Sequence, residues 1–253
     1  MINKRTPLNK ILVTSIVIST ILSSCSTTEQ PPTVSAMQPT MYPIQSISEY
    51  FPLKGGAYWV YEGNVRWTTA DSSAVTEEEV TWKMEVRRAI QRNDIVGYEM
   101  LGAPWDLAWY KEGQGPSEYG IIQAGGKFFL TSNDVVRRLM DESDFLGSLV
   151  DENSIFLDVP LIPGKKFCDI DSLTRSDGMY CWIVGEASQV TVTNIKGVTA
   201  SDTIFEFPIY NGTLPDHSIL HFIPGVGISG YEYHHHGTVS DAEVRLIEYY
   251  SGE

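Results

Sequence analysis

The sequence predicts a mainly β protein: a single curved antiparallel sheet or half-barrel with one or two short helices, preceded by a signal peptide and a flexible tether. Three observations carry that prediction. Apolar and polar residues alternate with a period of two in many short segments after residue 46, as in "AYWVYEGNVRW" and "VTWKMEVR". Glycine and proline clusters such as Gly55-Gly56, Gly125-Gly126 and Pro224-Gly225-Val226-Gly227 separate those segments. Helical spacing is almost confined to one window, "SNDVVRRLMDES" at 132–143.

Residues 1–24 read as a secretory signal. Lys4, Arg5 and Lys10 are followed by an uncharged apolar run at 11–22 and then by small residues. As helix, 12 residues rise about 18 Å, short of a hydrocarbon core of about 30 Å, so a permanent membrane span is the weaker reading. The end of this segment, Leu22-Ser23-Ser24-Cys25, resembles the lipobox of bacterial lipoproteins. That resemblance implies cleavage before Cys25, acylation of Cys25 (palmitate is one such acyl group), and a mature chain anchored to a membrane outside the cytoplasm. Each buried methylene contributes about 0.8 kcal/mol, so several acyl chains hold firmly. Ser26 supplies no acidic retention signal, which leaves cell membrane and outer membrane both open. The Pro, Ser and Thr-rich stretch 26–45 reads as a tether, giving a division into signal (1–24), lipidated Cys25 and tether (25–45) and β domain (46–253).

Without the signal, 15 Lys and Arg face 32 Asp and Glu, a net charge of −17. Such a surface repels nucleic acid, so no nucleic-acid partner is expected. Cys168 and Cys181 remain once Cys25 is acylated. An even pair in an oxidising compartment, separated by the polar, turn-rich "DIDSLTRSDGMY", favours a disulfide over two free thiols. No CxxC spacing is present.

Within the domain, Trp59, Tyr61, Val65 and Trp67 share one strand face, and Val80, Trp82, Met84 and Val86 share another. Further expected strands are 96–101, 107–111, 119–123, 127–130, 180–186, 189–195, 203–207, 217–222, 228–236 and 242–249. In the helical window, Ser132 or Asn133 suits the N-cap, and Val135, Val136 and Leu139 form one apolar stripe. "FPLKGGAYW" (51–59) and "VPLIPGKKF" (159–167) echo each other; a duplicated half-domain would explain this, but one turn chemistry used twice is the simpler account.

The lipobox, the tether, the early "YFPLKGGAYWVYEG" and the late "FIPGVGISGYEYHHHG" together resemble an uncharacterised bacterial lipoprotein family, whose curved antiparallel sheet is comparable to the LolA/LolB lipoprotein-carrier architecture. The resemblance implies a fold and a location; its motifs are turns and aromatics and bring no chemistry.

Two sets of residues are candidates for function. Six Trp, 13 Tyr and 9 Phe suit either a large core or a concave aromatic face; in the second case Trp59, Trp67, Trp82, Trp105 and Trp109 hold an apolar or lipid-like ligand. The run Tyr231-Glu232-Tyr233-His234-His235-His236 holds three of the five histidines. On a strand His234 and His236 share one face with Glu232, so this pair, with Glu232, His217 or His221, is a candidate zinc site for an enzyme. The competing reading is a hairpin turning at 237–240. It sets His236 opposite Asp241, His234 opposite Glu243 and Glu232 opposite Arg245, with Tyr231, Tyr233 and His235 facing Leu246, Val244 and Ala242. No G-x-S-x-G, H-E-x-x-H or Walker motif occurs. The expectation is therefore a non-enzymatic, membrane-anchored binding or structural lipoprotein without a cofactor; an envelope protein-interaction module and a zinc-dependent enzyme are the alternatives.

Overall fold

The computed structural model describes residues 46–68, 74–140, 149–199 and 204–252. The expected signal, the lipidation site Cys25 and the tether lie outside the described residues. Among the described residues, thirteen strands form one antiparallel sheet: β1 (Tyr58–Thr68), β2 (Val75–Arg92), β3 (Ile95–Leu101), β4 (Glu118–Ala124), β5 (Lys127–Thr131), β6 (Ile155–Asp158), β7 (Lys166–Phe167), β8 (Trp182–Val184), β9 (Ser188–Val190), β10 (Ile204–Gly212), β11 (Asp216–Ile223), β12 (Gly227–His235) and β13 (Ser240–Tyr250). Their order is β6-β5-β4-β3-β2-β1-β13-β12-β11-β10-β8-β7, with β9 continuing along β10 beyond β8.

The sheet curls until its terminal strands β6 and β7 lie alongside one another, so it is nearly a closed barrel. Register shifts at Val60/Tyr61, Val86/Arg88, Phe128/Phe129 and His221/Phe222 supply bends, since an extra residue on one strand kinks it and increases its twist. Where β13 diverges from β12, the segment before β10 takes the missing place: Lys196 N donates to Ile247 O, and Tyr249 N donates to Lys196 O.

Strand alternation placed the interior correctly on β1 and β2, where Trp59, Tyr61, Val65, Val80, Met84 and Val86 are all buried. One expected strand, 107–111, is absent. Pro104–Leu107 is instead a 3-10 turn, and Trp109 adopts φ +58°. Leu107, Trp109 and Tyr110 are apolar because they pack onto the sheet from a loop, which mimics strand spacing over five residues. The helical window yields α2 (Asn133–Arg137), extended by a 3-10 turn through Met140, and Ser132 is its N-cap, its hydroxyl accepting from Val135 N. Val136 and Leu139 bury against Ile90, Ile122 and Leu149, a small second core on the outer side of the sheet. Two one-turn helices, α1 (Ile47–Tyr50) and α3 (Ile170–Leu173), complete the fold.

The internal echo is a repeated turn. Gly56 at φ +79° donates its N–H to Val86 O on β2, and Gly164 at φ +82° donates to Val184 O on β8. Ala57 N closes onto Lys54 O just as Lys165 N closes onto Ile162 O. In both, a left-handed glycine reverses the chain into a strand, a conformation other residues adopt at a cost.

Candidate functional site

The barrel interior is occupied by the protein's own aromatics. Phe51, just after α1, packs on Trp59 of β1, Phe128 of β5 and Phe222 of β11. Trp59 and Tyr61 are fully buried and donate to the backbone oxygens of Val226 and Ile228 at 2.7 and 3.1 Å. From the other direction comes the 102–117 loop, an Ω-type loop whose ends meet at Gly102 N to Ser117 O, 2.8 Å. The Asp106 carboxylate knots it by accepting from Ala103 N and Ser117 N. Burial holds that carboxyl above its ordinary pKa despite these N–H donors, so the loop confines a charge to serve as its own staple.

The five tryptophans therefore line no common wall. Trp59, Trp67 and Trp82 are buried; Trp67 packs on Tyr110, and Trp105 packs on Tyr119 and Phe156. Trp109 stays 48% exposed on the loop. Trp59, Trp67 and Trp82 are buried within the core, together with Phe51 and residues of the 102–117 loop. Alternation showed which face they occupy, but whether that face stays open depends on segments without strand period.

The histidines converge more than the sequence indicated. All five sit on β11, on β12 or at His236 directly after it. The connecting turn is 236–239 rather than 237–240, so His234 faces Asp241 and Glu232 faces Glu243. The expected pairings are thus out by two residues. A two-residue slip preserves the faces: Tyr231 and Tyr233 are buried, while His234 is exposed. His234 Nδ1 lies 3.2 Å from Asp241 Oδ1, and the His236 ring sits edge-on to His217 at 4.7 Å. Among the described residues no group of three His, Cys, Asp or Glu side chains is placed to hold a metal ion, so His234 and His236 are not gathered into a zinc site.

His221, which the sequence reading treated only as a spare ligand, is instead the centre of a network across four strands. Its Nδ1 lies 3.2 Å from Glu206 Oε2 on β10 and its Nε2 lies 2.8 Å from Glu232 Oε1 on β12. Both ring nitrogens thus face carboxyl oxygens from neighbouring strands. Arg245 of β13 donates to Glu232 at 2.7 Å, and Ser229 donates to Glu206 at 2.6 Å. Ser229 reaches this outer face because it is the extra residue in the β11/β12 bulge. Gly230 lets the Arg245 side chain cross the strand: a Cβ there would lie 2.8 Å from Arg245 Cδ. Glu206 and Ser229 carried no sequence signal, since nothing local ties residue 206 to residue 221 or the bulge to position 229.

Burial pushes the Glu206 carboxyl up, but the hydrogen bonds from His221 and Ser229 outweigh it and hold the pKa below the ordinary 4.5. A depressed carboxyl contributes stability that is present above its unfolded pKa and lost as pH falls through the lowered native value. Urea midpoints measured from neutral pH down to about pH 3 should therefore fall less steeply for Glu206→Gln than for wild type. Parallel curves would remove the network from the acid response.

A second cluster lies at the loop end of β11 and β12. Asp216 Oδ1 accepts from Tyr233 Oη at 2.6 Å and from His235 Nδ1 at 2.8 Å, and the His235 ring meets the Trp109 ring with centroids 4.3 Å apart. On the opposite part of the sheet, Cys168 and Cys181 form a disulfide with Cα atoms 4.8 Å apart. Beside it opens a cleft of about 170 Å³ between Lys127, Phe129, Ile155, Cys168, Ile170 and Leu173, with Glu152 at its edge.

No family model matches the chain, and no curated protein matches it. Among solved structures, a Bacteroides fragilis protein described as exported and as having a YmcC-like fold is 13% identical, with a TM-score of 0.35, over 79% of this chain and 98% of its own. A Parabacteroides distasonis protein described as a lipoprotein is 11% identical, with a TM-score of 0.34, over the same shares of the two chains. Likenesses this distant transfer no residue and no activity.

Proposed function

We propose that the chain is a membrane-anchored, extracytoplasmic lipoprotein of binding or structural type, non-enzymatic, which meets its partner through its outer surface. The observation that carries this reading is the sequence Leu22-Ser23-Ser24-Cys25 closing a basic and then apolar signal segment. The Cys168–Cys181 disulfide supports it, because such bonds persist in oxidising compartments. Among the described residues no helix is long and apolar enough to cross a membrane, and acyl chains on Cys25 would supply the anchor in this reading. The filled interior favours an envelope protein-interaction module over a carrier of the LolA/LolB kind, which needs an open concave face for its apolar cargo.

The test is Cys25→Ser in cells fed labelled palmitate. Wild-type protein is expected in the membrane fraction carrying label; the variant is expected unlabelled and released from membranes. Unlabelled wild type, or wild type found free of membranes, would refute the anchor.

A further inference from the structure

The 102–117 loop is knotted to itself by Asp106, and Trp109 joins it to the loop end of β12 in an unusual way. Trp109 adopts φ +58°, a left-handed conformation that bulky residues rarely occupy. The residue is 48% exposed, so burial in the core does not hold it there. What it does meet is the His235 ring at 4.3 Å and an interplanar angle of 58°, with Tyr233 further off at 6.3 Å. His235 in turn is fixed: its side chain is 12% exposed and its Nδ1 donates to Asp216 at 2.8 Å. A strained, exposed tryptophan held against an immobilised histidine points to an interaction that depends on that histidine's charge, because an indole face attracts a cation.

We propose that Trp109 and His235 form a proton-operated clasp that fastens the 102–117 loop over the concave face, closed when His235 is the imidazolium and loosened when it is neutral. Neutral His235 still donates Nδ1–H to Asp216, so the ring keeps its place and loses only its charge. The groups around it are Asp216 and His217 on β11, Tyr231 and Tyr233 on β12, His236 against His217, and Asp241 on β13 opposite His234. On the loop side, Tyr110 donates to Glu78 of β2. Burial raises the Asp216 carboxyl, but hydrogen bonds from Tyr233 and His235 and the charges of His235 and His217 leave it below its ordinary range. Asp216 therefore stays ionised through the interval in which histidine changes charge and supplies a constant counter-charge.

Lys111 lies exposed on this loop, so its cleavage by a lysine-specific protease in the intact protein reports opening. Rates are to be compared at about pH 5 and about pH 8, the range in which histidine changes charge. Each rate is corrected with a reference peptide of the same flanking sequence. Wild type should be cut roughly two- to fivefold faster at the higher pH, the factor that an ordinary exposed cation–π contact gives. His235→Gln, an uncharged donor, should be cut at the same fast rate at both pH values, while His217→Gln should keep the wild-type ratio. Should His235→Gln fail to fold, Trp109→Leu retains apolar bulk without the aromatic ring and should likewise abolish the ratio. A wild-type ratio of one, or a pH response that survives in His235→Gln or Trp109→Leu, overturns the clasp; loss of the response in His217→Gln assigns it to the wrong histidine and overturns it too.

Discussion

Trp59→Ala should lower the unfolding free energy by about 3–5 kcal/mol, the range for deleting a large buried aromatic. The side chain is wholly inaccessible and packs on Phe51 and Tyr249 at centroid distances of 5.8 and 5.5 Å. Its Nε1 also donates to Val226 O at 2.7 Å, and truncation strands that buried carbonyl. Gly227 lets both rings crowd against the backbone: a Cβ there would lie 2.6 Å from Phe51 Cε2 and 3.2 Å from Trp59 Nε1. Urea unfolding at constant slope measures the effect. A loss below about 1 kcal/mol would mean that Trp59 borders open space after all, as in the groove expectation, since an exposed wall residue leaves no cavity behind.

The second large effect is expected from Cys168→Ser with Cys181→Ser. The bond joins the residue after β7 to the residue before β8, closing the loop that holds α3 across a sequence separation of 13. Closing a loop of about 15 residues removes denatured-chain entropy worth about 3 kcal/mol. In a domain of this size that corresponds to a fall in Tm of about 6–12 °C. Thermal unfolding of wild type with a thiol reductant should reproduce the shift, and the double variant should be indifferent to the reductant. An unchanged Tm in both would show that the segment is already as ordered in the unfolded chain as the bond could make it.

These two sites differ in how far residue pattern alone revealed them. The Cys168–Cys181 pair was legible because counting cysteines leaves only one pairing once Cys25 is set aside. Trp59 was legible only as to face. Its strand and orientation follow from alternation, but its environment depends on Phe51 and the 102–117 loop, which arrive from segments with no period of their own. Leu107 and Trp109 show the reverse failure: two apolar residues two apart imitated a strand where Pro104 begins a turn.

The closing hairpin draws the line most clearly. Sequence by itself determined that Tyr231, Tyr233 and His235 share the inner face and that Glu232 and His234 share the outer, because side chains alternate on any strand whatever its partner. It did not determine the register, since turns at 236–239 and 237–240 conserve those faces equally well. Arg245 still reaches Glu232 at 2.7 Å, now as a diagonal neighbour. Only the tertiary structure could bring Glu206, Ser229, Glu232 and Arg245 around His221, or Asp216 and Trp109 around His235. Those groups come from separate strands and a distant loop, and a local pattern reports which way a side chain points but not what the folded chain sets in front of it.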